Sequence, residues 1–283
     1  MISFLITNLI TDEQEFRVKG ALGEWEFQSS HNYSDLINPI TQQGACGNTF
    51  TASLDKVSNR SSDSDFSQCC DEIIDISLVL SFLQARCITP SGTTGSSDIQ
   101  FIQLGDDFIP PRGIVGFPEL KPVSGYADVF SSWGTGNHQN FISKRLRLFL
   151  AHYLSGLTCF TLEDLFLSLG VQMDLVKQEE RRLTGNSNLT YRQGMVSASS
   201  RYGINPLSID YTKMRNDIVH EGVLSGDNFA NKTKAECAKV VVDTLNWIDS
   251  YILAALSLTP KVNTDQRWKT RDMEYGLPSI SVR

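Results

Sequence analysis

Arg215, Asn216 and His220 lie within one short stretch, Met214-Arg-Asn-Asp-Ile-Val-His-Glu-Gly222, and together carry the groups that phosphodiester cleavage needs. Histidine titrates nearer neutrality than any other side chain, so His220 is suited to take a proton from a ribose 2′-OH or give one to a leaving oxygen. Arg215 offers a planar fork of donors that matches phosphate and stays cationic as negative charge builds in the transition state. Asn216 can orient either group. Nothing in this set calls for a metal.

At about 100° per residue, Leu207, Tyr211, Met214 and Ile218 fall on one stripe of a helix and define its core face. Arg215, Asn216, Val219 and His220 spread over the opposite arc, and Gly222 is placed to stop the helix in a left-handed cap. Three polar residues and a valine thus face away from the core, as a site or a subunit contact requires. A purely structural account of the same residues also exists. A histidine in the last turn favours the helix dipole, and Arg215 has Asp210 and Glu221 within reach as solvent-exposed partners.

The elements that would position this helix have a helical period from about Phe141 onward. Ile142, Leu146, Phe149, Leu150, Tyr153, Leu154 and Leu157 form one stripe. Leu162, Leu165, Phe166, Leu169, Met173 and Val176 form a second, behind Thr161 as N-cap. A weaker helix runs from Leu189 to about Tyr202, the fourth begins near Asn205-Pro206, and a long fifth carries Ala238, Val241, Val242, Leu245, Ile248 and Ile252. His152 reads as a core or boundary histidine beside Phe149 and Tyr153. Amphipathic helices joined by short connections make a bundle.

The phrase Lys213-Met-Arg-Asn-Asp-Ile-Val-His-Glu-Gly222 resembles the signature of the HEPN superfamily, which is Arg, four to six residues, then His, with a polar residue directly after the Arg. The nearest branch is that of the ApeA-like HEPN proteins. Leu162-Glu-Asp-Leu-Phe166 and Leu189-Thr-Tyr-Arg-Gln193 are also similar to segments of that branch, and the resemblance covers about Phe141 to Leu258. The bare spacing is a weak signal, because Arg145 and Arg147 stand at similar distances from His152. Those pairs put Leu directly after Arg (at 146 and 148) and lack the Glu-Gly stop.

The resemblance implies a metal-independent endoribonuclease that needs no cofactor, with Arg215, Asn216 and His220 catalytic. Glu163, at the head of its helix, either stabilises the helix start or supports the site, and Glu221 is a second supporting acid. Such proteins pair so that their two signature motifs meet across a two-fold axis, which implies a homodimer through the helical domain acting on RNA. A role in prokaryotic defence against phage is a family expectation. The alternative is a non-catalytic dimer that binds a partner or a nucleotide.

The first half has a different texture. Phe16-Arg-Val18 and Trp25-Glu-Phe27 alternate with period two around a hairpin connection at Lys19 to Gly23. Ile2 to Ile10 reads as a buried strand, Ser58 to Asp65 as a polar loop and Cys69 to Gln84 as a largely buried helix. Pro90 to Ser97 reads as a turn and Ile99 to Leu104 as a strand, followed by a stretch with Pro110, Pro111, Pro118 and Pro122. The expected architecture is α+β. A β-rich recognition or regulatory domain with one buried helix spans 1–138, with a ligand or partner that the sequence does not define. An all-α HEPN bundle spans 139–260 and a polar tail 261–283. Gly134 to Asn140 is expected to be an exposed linker.

Composition sets the bounds. At 283 residues, 41% hydrophobic and 20% charged, the chain suits two globular domains. It shows no apolar run long enough for a membrane span, which points to a cytoplasmic protein with no membrane partner. A net charge of −7 argues against broad contact with nucleic-acid phosphates and confines such chemistry to a small cleft. The cysteines at 46, 69, 70, 87, 159 and 237 show no paired metal-ligand spacing and are expected to be free thiols. Trp25, Trp133, Trp247 and Trp268 are too scattered to form a stacking platform.

Overall fold

The computed structural model describes residues 2–54, 63–93, 119–263 and 267–282. The protein is α+β, with an antiparallel five-stranded sheet in its first part and a succession of helices after it. It divides into two compact units, with the change between Ser143 and Lys144 and with Pro260–Asn263 returning to the first unit.

In the first unit, β1 (Ile2–Thr7), β2 (Glu15–Lys19), β3 (Glu24–Ser29), β4 (Asn48–Leu54) and β5 (Thr89–Thr93) form a sheet of order β2-β3-β4-β1-β5. Period-two alternation builds the hairpin. Phe16, Val18, Trp25 and Phe27 are buried, Phe16 pairs with Phe27 in register, and their rings stack 4.7 Å apart. On the other face Arg17 lies opposite Glu26, within 3.8 Å of its carboxylate. Helix α2 runs Asp63–Gln84, so it begins inside the expected polar loop. Its buried Glu72 accepts from the backbone amides of Ala21 and Leu22 and from Trp25 Nε1, and so braces the hairpin turn.

Two expectations for this unit need correction. Pro90 to Thr93, the start of the expected turn, instead belong to strand β5 (Thr89–Thr93), which pairs with β1, because an edge position tolerates Pro90. Helix α1 (Tyr33–Gln43) is a second substantial helix, disguised in sequence by its internal Pro39. The strand expected at Ile99–Leu104 and the prolines at 110, 111 and 118 lie outside the described residues.

The glycine-rich segment before Phe141 is also packed. It contains α3 (Tyr126–Val129), a 3-10 turn at Trp133–Thr135 and α4 (Asn137–Ser143). Trp133 and Phe141 are buried, and His138 Nε2 lies 2.8 Å from the Asp75 carboxylate. A Cβ on Gly134 would sit 2.4 Å from the Gly20 carbonyl oxygen, so glycine is required by this close approach. The segment is therefore structured, although Gly134, Gln139 and Asn140 are exposed as expected of a connection.

The second unit comprises α5 (Leu146–Gly156), α6 (Leu162–Thr184), α7 (Tyr191–Tyr202), α8 (Ile209–Glu221), α9 (Lys234–Ala255) and α10 (Thr270–Gly276). Helix α6 packs against α5, α7, α8 and α9, and α9 against α7, α8 and α10. The stripes read from sequence supply the core: Leu165, Phe166, Leu169, Met173 and Val176 from α6, and Val241, Leu245, Ile248 and Ile252 from α9, all buried. Thr161, Thr190 and Thr233 cap α6, α7 and α9 through their hydroxyls. The first stripe is not one helix, because Arg145 adopts a left-handed φ of 55° that separates α4 from α5 and leaves Ile142 exposed. His152 is exposed, one turn from the exposed Leu148, and not a core residue.

Residues 267–282 are not a loose tail. Arg267 is buried and grips Asp249 of α9 with two hydrogen bonds of 2.8 and 2.9 Å, while its Nη2 also donates to the Tyr153 hydroxyl. Trp268 Nε1 donates to the same carboxylate at 2.8 Å. Polar composition suggested a tail, but here the polar groups pair with one another inside the bundle.

Candidate functional site on helix α8

Ser208 begins α8 by accepting from the Asp210 amide, and Gly222, at φ 74°, ends it with its N–H on the Ile218 carbonyl. The start falls later than expected, so Leu207 precedes the helix. Tyr211, Met214 and Ile218 are buried as the stripe requires.

The fourth inward residue is Asp217, which sequence reasoning did not single out. It is fully buried and accepts from the backbone amides of Gly226, Asn228 and Phe229 and from the Asn228 side chain. Burial alone would raise its carboxyl, but these hydrogen bonds outweigh it and hold the group below the usual carboxylate range. Asp217 thus fixes the loop that follows the helix. Only its position on the inward stripe, at i+3 from Met214, hinted at this.

Arg215 is held from two sides. Its guanidinium carbon lies 4.4 Å from the centre of the Tyr191 ring, and Nη2 is 3.9 Å from the Asp174 carboxylate. Neither of the partners suggested by sequence takes it: Asp210 is engaged by Lys213, and Glu221 faces the Asp227 amide. The Tyr191 hydroxyl contacts those of Tyr211 and the Gly170 carbonyl, which anchors the ring. Burial pushes the Tyr191 phenol up to about 12, so it stays protonated. Tyr191 and Asp174 are absent from any short motif around Arg215, because folding brings them from α7 and α6.

His220 and Val219 are exposed, Val219 by 51%, and Asn216 is partly exposed. The side chains of Asn216 and His220 form no hydrogen bond among the described residues. Four residues apart, they share one side of the helix, whereas Arg215 points about 140° away from His220. One copy of the helix therefore presents the three side chains side by side without converging them on one point. Leu167 and Val171, two turns and one turn before Asp174 on α6, are also exposed.

The two expected supporting acids are engaged elsewhere. Glu163 accepts from the Ser279 and Ser281 hydroxyls and from the amides of Ile280 and Ser281. Burial opposes ionisation of Glu163, but these bonds prevail and hold its carboxyl down at about 2. It anchors the C-terminal segment, and Ser281 in turn accepts from the Leu224 amide just beyond α8. Glu221 supports the same loop as Asp217. Among the described residues no group of three or more His, Cys, Asp or Glu is arranged to hold a metal ion, and no helix is long and apolar enough to cross a membrane.

No protein-family model matches the chain, and no curated protein or solved structure shows significant similarity to it.

Proposed function

We propose that the second unit is a HEPN-type endoribonuclease that acts as a homodimer through the α8 face. The observation that carries this is an arginine held in a defined orientation, by Tyr191 and Asp174, on the same outward arc as an unengaged asparagine and histidine. An arginine whose only task was solvation would need no aromatic platform. In one chain Arg215 and His220 diverge, and a two-fold contact would bring the second copy of each to the same cleft. The exposed Val219, Leu167 and Val171 supply apolar surface for that contact.

In this reading the substrate's own 2′-OH attacks the adjacent phosphorus. His220 of one subunit takes the 2′-OH proton, and its copy in the partner protonates the departing 5′-oxygen. Arg215 holds the phosphate and stabilises its added charge, and Asn216 fixes its orientation. The products are a 2′,3′-cyclic phosphate and a free 5′-OH, with no water consumed. A role in phage defence is the cellular setting suggested by the resemblance.

A specific observation favours the alternative of a non-catalytic binding module: Arg215 already has a carboxylate, Asp174, beside it. Incubating total cellular RNA with wild type and with His220→Ala separates the two. The enzyme reading expects cleavage by wild type alone, with both proteins dimeric by light scattering. Intact RNA in both samples favours the module.

A further inference from the structure

The bundle holds a second site that does not depend on α8. A cavity of about 660 Å³ opens between the start of α5 and the C-terminal half of α6. Four cations line it, Lys144, Arg145, Arg181 and Arg182, although the chain as a whole carries a net charge of −7. Only Arg182 is neutralised, by a two-pronged pair with Glu179 at 2.6 and 2.9 Å.

The other three keep their charge. Arg181 donates from Nε and Nη2 to the Leu189 carbonyl, and Lys144 donates to the Ala255 carbonyl at 2.9 Å. Neutral acceptors orient these cations without cancelling them. Burial lowers the pKa of Lys144, and the attraction of the Glu179 carboxylate only partly offsets it. The Arg145 side chain forms no ion pair or hydrogen bond among the described residues, and its backbone is left-handed, as that of only a few described non-glycine residues is.

The remaining wall has a different character. Leu148 is 48% exposed beside the buried Phe149, Leu175 is partly exposed, and the Gln178 amide has no hydrogen-bond partner among the described residues. Its volume falls within the roughly 300–1,000 Å³ of ordinary small-molecule pockets. Cations along one side call for phosphate. An apolar shelf with a free amide beside it calls for a flat heterocycle with donors and acceptors at its edge.

We propose that this cavity binds a nucleotide, its phosphates against Lys144, Arg145 and Arg181 and its base on Leu148 and Leu175 within reach of Gln178. The site differs from the α8 face in every residue, so it stands or falls separately from the ribonuclease reading.

Calorimetric titration of the full chain with ATP, AMP and inorganic phosphate tests it. The expected result is saturable nucleotide binding at least about tenfold tighter than that of phosphate. Arg145→Asn removes the charge with a residue that tolerates a left-handed backbone, and Lys144→Gln removes the second. Each should weaken nucleotide binding at least about tenfold while the helical circular dichroism is unchanged. Arg215→Ala should bind as wild type does. No nucleotide binding, equal affinity for phosphate, or wild-type affinity in both charge variants would overturn the proposal. Loss of binding in Arg215→Ala would move the ligand to α8, and displacement of ATP by a short RNA with the same dependence on Arg145 would reassign the cavity to a strand. Either outcome also refutes it.

Discussion

Tyr191, the first residue of α7, lies flat beneath the guanidinium of Arg215 on α8, 4.4 Å from ring centre to guanidinium carbon. The hydroxyl end of Tyr191 is tied to Tyr211 and Gly170, so the platform is itself anchored. If Arg215 contacts phosphate, the ring sets its angle. Tyr191→Ala should lower cleavage by about tenfold, the value of a well-placed cation–π contact. Tyr191→Phe keeps the stack and should retain most activity. Equal loss in both would assign the effect to the hydroxyl network instead. The measurement is single-turnover cleavage of a defined RNA.

Arg215→Lys keeps the positive charge but removes the bidentate fork and the planar surface that stacks on Tyr191. Cleavage should fall by about 100-fold or more, with the oligomeric state unchanged. A variant with near wild-type rates would show that only charge matters at this position.

If His220 and Asn216 act on the substrate's own hydroxyl, a 2′-deoxy nucleotide at the cleavage position should abolish the reaction. Cleavage should continue in EDTA, and the product should carry a 2′,3′-cyclic phosphate. A requirement for Mg²⁺, or equal cutting of DNA, would rule out this mechanism for α8.

Asp217 and Glu163 both have folded-state carboxyl pKa values depressed by hydrogen bonds, Glu163 to about 2. Their stabilisation is complete above the unfolded carboxylate value, at about pH 4, and is lost as pH falls through the folded value. Glu163→Gln should therefore destabilise at pH 7 but lose less on acidification to about pH 2 than wild type does. Asp217→Ala leaves three backbone amides without their acceptor, that of the buried Phe229 among them, and should cost about 3 kcal/mol. Urea unfolding across this pH range checks both.

The C-terminal segment is a working part of the bundle. Arg267→Ala would leave the buried Asp249 carboxylate without its cation and should cost about 3–5 kcal/mol, read as a lower Tm. A double replacement, Arg267→Met with Asp249→Leu, should recover part of the loss, because it removes the uncompensated charge along with the pair.

Local chemistry decided a good deal of this protein before any tertiary contact formed. The hairpin of β2 and β3 follows from strict alternation around Phe16, Val18, Trp25 and Phe27, and the cores of α6 and α9 from their 3.6-residue period. Thr161 before Leu162 and Gly222 after Glu221 marked helix ends that the structure keeps. These signals are short in range, so one stretch of chain contains them whole. Arg215, Asn216 and His220 were legible for the same reason: they share one helix.

What surrounds them depended on the fold. Tyr191 and Asp174 reach Arg215 from separate stretches of chain, and no spacing rule connects them. Pro39 concealed α1 because proline opposes helix locally, and packing overrode that preference. The polar segment after residue 266 resembled a tail because composition cannot show that Arg267 has a buried Asp249 to meet, or that Ser279 and Ser281 have Glu163. The cavity between α5 and α6 likewise gathers Lys144 and Arg145 with Arg181, which lie more than thirty positions apart. A sequence states which groups a chain carries, but the balance of burial and pairing that brings distant ones together exists only in the folded bundle.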